Sequence, residues 1–211
     1  MNEKEPVWHW EAIDADVKQT LQELQQIPIF SRFYLAGGTG LALYFGHRRS
    51  VDLDYFLGEN FKEDFLVQKL QRIEGLSLVA KEPGTIYANI RETKVSFITY
   101  AYPVLFPFLT VLGTNLADPR DIACMKISAI ASRGTKRDFI DLYVLSQHYG
   151  LEQIVSWFRR KYAQTNYSKV HVLKSLSYVE DAEKDPMPDM LASLSWEDVK
   201  QFFVREAPKL L

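Results

Sequence analysis

The sequence predicts an α+β fold, a small mixed sheet flanked by helices and followed by a helical region, on three observations. Short β-type and helix-type runs alternate between about residues 33 and 99, the chain after Asp118 reads as consecutive helices, and the composition changes near residue 115. The expected division is therefore 1–115, an α/β core, and 116–211, a helical region that would close a cleft against it, where ligand sites concentrate.

The elements follow in order. Trp10 to Ile27 carries Ile13, Val17, Leu21 and Leu24 at helical spacing and stops at Pro28. Phe33–Ala36 reads as a short strand, Gly37-Gly38 as a turn, and Thr39–Phe45 as a short helix ended by Gly46. After a basic loop, His47 to Ser50, the run Val51–Leu57 alternates apolar with acidic or aromatic residues, the period of a half-buried strand. A helix is expected from Lys62 to Ile73, then a meander of Leu76–Ala80, Thr85–Ile90 and Lys94–Thr99, with turns at Pro83-Gly84 and Arg91–Thr93. Tyr102 to Pro107 is broken by prolines. Asp118, Pro119 and Asp121 place a capping acid, a first-turn proline and a third-position acid at a helix start. Helices are expected over Pro119–Ser132, Arg137–Tyr149, Leu151–Tyr162, Val170–Val179 and Trp196–Glu206, with Glu180–Asp189 as an exposed acidic linker.

Composition narrows the function classes. The chain has 211 residues, 47% hydrophobic and 25% charged, the balance of a protein that buries a core. Its net charge of −2 gives no global positive field for nucleic acid or an anionic membrane, so a polyanion site must be local. One cysteine, Cys124, and scattered histidines (His9, His47, His148, His171) exclude a disulfide framework, a Cys/His zinc finger and a redox Cys pair. Met1–Glu5 lacks the basic start and apolar core of a secretory leader, and the apolar stretch Pro103–Gly113 is about half of the ~20 residues a membrane span needs. The cytoplasm, with no membrane partner, is the expected location.

Asp52 and Asp54 are the sharpest chemical signal. Two apart on a strand, they share a face with Cα atoms ~7 Å apart, within reach of one divalent ion. Alone, such a pair is more often two solvated acids. Gly37-Gly38-Thr39, ending thirteen residues earlier, adds a glycine turn at a helix N-terminus, where backbone N–H groups and a hydroxyl can face phosphate. Together they are the parts phosphoryl transfer needs, positioning and charge neutralisation. A further cluster runs from Lys126 to Asp141. Lys126 lies on an apolar stripe with Ile122, Ala129 and Ile130 and must reach an anion, either a structural partner in Asp138 or Asp141 or a triphosphate. Arg133, Lys136 and Arg137 put three positive charges in five residues, a solvated loop or a phosphate contact.

These residues carry a resemblance. Gly-Gly-Thr, a short apolar helix, Gly46-His47-Arg48 and Asp52-Leu53-Asp54 resemble the first motif of the polymerase-beta-like nucleotidyltransferase superfamily. The Lys126–Asp141 stretch, Lys-x-x-Ala-Ile-x-x-Arg-Gly-x-x-Arg-Asp-Phe-x-Asp, looks like the signature of its AbiEii-type branch, the nucleotidyltransferase toxins of abortive-infection and toxin–antitoxin systems. The likeness covers about residues 30–145. It implies a polymerase-beta-like core, Mg²⁺ or Mn²⁺ on Asp52 and Asp54, and nucleotide binding by Gly37, Gly38, Thr39, Arg48, Arg133 and Arg137. It also implies catalytic roles for Lys126, Asp138 and Asp141. The implied reaction moves a nucleoside monophosphate from an NTP to an RNA acceptor, tRNA among them, or to a protein, and the implied partner is a cognate antitoxin.

One position departs from the pattern. The superfamily commonly has a third carboxylate on a later strand, and Ser96 stands where it is expected. Asp138 or Asp141 could substitute, one metal could suffice, or the chain could bind nucleotide without efficient transfer and act as a regulatory or interaction protein. Transfer of a γ-phosphoryl group would use the same residues, but no Gly-x-x-x-x-Gly-Lys-Ser/Thr loop is present. The charge balance disfavours extended binding to a long duplex.

Overall fold

The computed structural model describes residues 6–210; Met1–Glu5, read above for a leader, and Leu211 of the expected helical region lie outside the described residues. The chain forms two compact units. One runs to Tyr102 and resumes over Pro107–Asp118, and the other comprises Pro103–Phe106 and the chain from Pro119 onward.

The first unit is built on a mixed sheet of β1 (Tyr34–Ala36), β2 (Asp52–Leu57), β3 (Leu76–Glu82), β4 (Thr85–Ile90), β5 (Thr93–Thr99), β6 (Leu109–Val111) and β7 (Thr114–Leu116). The strand order is β3-β4-β5-β2-β1-β7-β6. β2 is central, antiparallel to β1 and parallel to β5. Its alternation sends Leu53, Tyr55 and Leu57 into a core with Val95 and Phe97 of β5, Leu35, Phe30 and Phe33. Tyr55 stacks on Phe97 with centroids 5.6 Å apart. Helix α1 (Ala15–Gln25) adds Val17, Leu21 and Leu24 to that core, and α2 (Gly37–Phe45) and α3 (Glu63–Leu70) complete the unit.

Several boundaries differ from the sequence expectation, each for a local reason. The first helix is split: a 3₁₀ turn covers Trp10–Ala12, and Asp14 caps α1 by accepting from Val17 N at 2.8 Å. After Pro28, where no element was expected, the chain makes a second 3₁₀ turn, Pro28–Arg32. β6 and β7 form between Pro107 and Asp118, where no strand was expected, joined through Leu112 and Gly113 at φ 47° and 79°. The basic loop is partly inverted, since His47 and Arg48 are buried and only Arg49 is exposed.

The second unit contains α4 (Pro119–Ser132), α5 (Lys136–Tyr149), α6 (Leu151–Lys161), α7 (Lys169–Ser175) and α8 (Trp196–Glu206). Phe139 of α5 meets Phe203 of α8 edge to face at 5.3 Å, both fully buried. Asp121, the third-position acid, is buried and accepts from Leu105 N and Phe106 N at 3.0 and 2.9 Å and from Lys161 Nζ at 2.7 Å. Lys161 Nζ also donates to Pro103 O at 2.7 Å, so this ion pair pins segment 103–106 to the helices. The acidic segment Glu180–Asp189 is mostly exposed, as expected, but it is anchored. Asp181–Lys184 forms a 3₁₀ turn around fully buried Ala182, and Asp185 Oδ2 accepts from Lys136 N at 2.9 Å. Among the described residues no helix is long and apolar enough to cross a membrane.

Candidate active site

β1 runs into α2 through Gly37, and β2 lies alongside. Gly37 is in the left-handed region, φ +71°, and a Cβ there would sit 2.8 Å from Asp54 Oδ2. A Cβ at Gly38 would collide with Arg48 Nη2. The two glycines are therefore required by close approach: one lets the Asp54 carboxylate reach the positive end of α2, the other lets the buried Arg48 guanidinium lie against the same turn. Thr39 is buried, and its hydroxyl donates to the Asp52 carbonyl oxygen and lies 2.8 Å from Ser50 Oγ. It ties the helix to β2, which leaves the backbone N–H groups of the turn as the donors suited to an anion.

Asp52 and Asp54 are half-buried on the face of β2 opposite Leu53 and Tyr55. The parallel register with β5 and the antiparallel register of β5 with β4 align two rows across the sheet. One row is Asp54, Ser96 and Tyr87; the other is Asp52, Lys94 and Asn89. Ser96 Oγ donates to Asp54 Oδ1 at 2.5 Å, orienting the carboxylate. A pocket of about 380 Å³ opens on this face, lined by both rows. Among the described residues no group of three His, Cys, Asp or Glu side chains could hold a metal, so the carboxylate set is the pair alone. An all-oxygen set of two carboxylates fits Mg²⁺ or Mn²⁺, which commonly takes one or two carboxylates and completes its shell with water and phosphate.

The second cluster lies within the helical unit. Lys126 Nζ is 2.9 Å from Asp138 Oδ1 and 2.7 Å from Asp141 Oδ2, all three side chains being buried. Asp138 also accepts from Arg133 Nε and Nη2 at 2.9 and 3.2 Å and from Thr135 Oγ1 at 2.7 Å. Burial alone would raise the Asp138 pKa; Lys126 and Arg133 outweigh it and hold the carboxyl well below its usual range. Such a carboxylate is a poor proton acceptor. Arg137 is exposed on α5.

The predicted site residues thus fall into two groups. Gly37, Gly38, Thr39, Arg48, Asp52 and Asp54 come together in the first unit; Lys126, Arg133, Asp138 and Asp141 come together in the second. Sequence reasoning passed over Tyr87, Asn89 and Lys94. Their signal was present in Thr85–Ile90, where Tyr87 and Asn89 alternate with Ile86, Ala88 and Ile90, but the alternation does not say which strand lies beside Ser96.

The family described as "Nucleotidyl transferase AbiEii toxin, Type IV TA system" matches the chain over residues 19–113 and 89–210. The chain belongs to the AbiEii nucleotidyltransferase toxin family. This AbiEii-family chain is 34% identical over 208 residues to an uncharacterized protein of Aquifex aeolicus (strain VF5), covering 94% of this chain and 98% of that one. It is similar in fold to JHP933 from Helicobacter pylori, with a TM-score of 0.55 and 15% identity over 92% of this chain and 90% of that one. It is also similar to MenT4, nucleotidyltransferase toxin Rv2826c from Mycobacterium tuberculosis H37Rv, with a TM-score of 0.55 and 14% identity over 94% of this chain and 87% of that one. At such identities the likeness establishes the fold, and it is that of the nucleotidyltransferases.

Proposed function

We propose that this AbiEii-family chain is a metal-dependent nucleotidyltransferase that transfers a nucleoside monophosphate from an NTP to a hydroxyl of an RNA or protein acceptor, and that it acts as the toxin of a pair whose antitoxin is its partner. The observation that carries the reading is the Asp54 carboxylate held against Gly37 at the N-terminus of α2, with Asp52 on the same strand face. A metal cofactor and a phosphate cradle are then adjacent.

Asp52 and Asp54 would hold one Mg²⁺ or Mn²⁺. When bound, the ion supplies neutralisation of the phosphate charge that builds up during transfer. The N–H groups of the Gly37-Gly38 turn hold the phosphates of the leaving pyrophosphate, and buried Arg48 adds fixed positive charge there. Ser96 positions Asp54 through its hydroxyl. Lys126 keeps its ammonium on Asp138 and Asp141 inside the helical unit, where the three form a buried structural cluster.

The test incubates the protein with each labelled NTP, Mg²⁺ and total cellular RNA and protein, and follows both label and pyrophosphate. Transfer by the wild type that is lost in Asp52→Ala and Asp54→Ala, with their unfolding transitions kept, supports the reading; transfer that persists in both variants overturns it. Ser96 favours a second reading, nucleotide binding without transfer in a regulatory role, because a hydroxyl is a weak base at neutral pH. That reading predicts NTP-dependent thermal stabilisation with no pyrophosphate release.

A further inference from the structure

Charge is distributed unevenly along the helical unit. Between Glu152 and Glu180 the sequence carries Arg159, Arg160, Lys161, Lys169 and Lys174 and no acid, whereas residues 180–189 carry five acids and one lysine. Folding occupies part of each run. Lys161 is buried on Asp121, Glu183 pairs with Lys200 at 2.7 Å, and Asp185 accepts the N–H of Lys136. What remains are four cations, Arg159, Arg160, Lys169 and Lys174, and two acids, Glu180 and Asp181, all exposed and none in an ion pair among the described residues. Two apolar side chains stand among them. Val170 is 55% exposed on α7, four before Lys174 and so on the same helix face, and Tyr178 is 53% exposed where the basic run gives way to the acidic one. Tyr178 N donates to Ser175 O at 3.2 Å, so the turn continues past α7 and keeps Tyr178 close to Lys174. Asp181 and Glu180 lie near enough to the Tyr178 phenol to raise its pKa, which places the acids at the edge of this ring.

A nucleic acid would need cations alone, and Glu180 and Asp181 at the end of the cationic run would repel a phosphodiester chain. An exposed valine and tyrosine ringed by charge have instead the make-up of a protein interface, an apolar centre with a charged rim. A two-fold contact between identical chains brings each surface against its own copy, so residue i meets residue j and residue j meets residue i. Such a contact needs both signs of charge in neighbouring strips, and residues 169–181 supply them. We propose that the helical unit pairs with a second copy of this chain through residues 169–181. Lys169 and Lys174 of each protomer meet Glu180 and Asp181 of the partner subunit, and Val170 and Tyr178 pack at the centre. The pairing is independent of the chemistry of the acid pair, which belongs to the other unit.

Sedimentation velocity over a concentration series of the full chain tests the pairing. A dimer at about 0.1 M salt should weaken at about 1 M, where the Debye length falls from about 10 Å to about 3 Å. Lys169→Glu with Lys174→Glu, and separately Glu180→Lys with Asp181→Lys, should each raise the dissociation constant more than about tenfold, because both symmetric contacts become like-charge. The four changes together exchange the two signs at unchanged net charge and should restore the dimer, as should an equimolar mixture of the two double variants. Tyr178→Ala should weaken the dimer about tenfold or more while leaving its salt dependence as it was. All five residues are exposed, so melts by circular dichroism should match wild type. A wild type that stays monomeric at the highest concentration and the lower salt overturns the proposal. A dimer that persists in both double variants, or a fourfold variant that keeps its melt and stays monomeric, places the contact elsewhere and overturns it too. A monomeric wild type that binds fluorescein-labelled single-stranded RNA, with binding lost in Lys169→Glu, Lys174→Glu, assigns the cations to nucleic acid and overturns it as well.

Discussion

Asp138→Asn removes a charge while keeping the shape of the side chain, and its cost follows from the contacts. The carboxylate accepts from Lys126, twice from Arg133 and from Thr135. The Arg133 side chain is 65% exposed, so its share is small in a screened environment. The Lys126 contact is different: both side chains are buried, and breaking a buried pair by removing one partner costs about 3–5 kcal/mol. Asp141 stays 2.7 Å from the ammonium, which places the expected loss near the low end, about 3 kcal/mol. For a chain of this length that is a drop of about 6–12 °C in Tm at pH 7 by circular dichroism. The pH dependence supplies a second arm. The folded pKa of Asp138 lies below its unfolded value, so its stabilisation is complete above the ordinary carboxylate pKa of about 4 and is lost as pH falls through the folded value. The gap between wild type and variant should hold from pH 7 to 5 and shrink below about pH 4. A loss under about 1 kcal/mol, or a gap that stays constant into strong acid, refutes this account of the cluster. A Lys126→Met, Asp138→Asn double variant should lose less than the sum of the two singles, because the pair is one interaction.

Gly37→Ala meets both a left-handed backbone and the Asp54 carboxylate, and should cost about 1–2 kcal/mol in urea unfolding while reducing transfer by more than that loss explains. Lys161→Met leaves Asp121 buried with only N–H donors, so a loss of about 3–5 kcal/mol and faster proteolysis near residues 103–106 are expected; an unchanged midpoint would show that the pair does not pin that segment. Cys124 is fully buried, and burial pushes its thiol pKa up to about 12. It should resist a thiol reagent at pH 8 until the protein unfolds, and rapid native labelling would contradict that burial.

Much of the site was legible because it is made of local rules. The period-two pattern of Val51–Leu57 put Asp52 and Asp54 on one face of β2, and the apolar stripe of α4 required Lys126 to find an anion, which it does in Asp138 and Asp141. The β6–β7 hairpin was not legible, since two three-residue strands joined through Leu112, a non-glycine residue at positive φ, carry too few residues for a periodic signal. The inward turn of His47 and Arg48 was hidden for another reason: a short run of basic residues reads as solvated unless the fold supplies something for them to pack on. Thr39 is similar, a hydroxyl suited to phosphate by its position that the structure gives to the Asp52 carbonyl.

The sequence by itself determined the fold class, the family signature, the glycine turn and the acid pair, because backbone conformation and side-chain facing depend on residues a few positions apart. Pairing between strands far apart in the chain was decided only by the tertiary structure. The β2–β5 parallel register puts Ser96 against Asp54, and the β5–β4 register then puts Tyr87 and Asn89 in line with the two aspartates. Register depends on which faces are buried against which helices, and no local spacing encodes that.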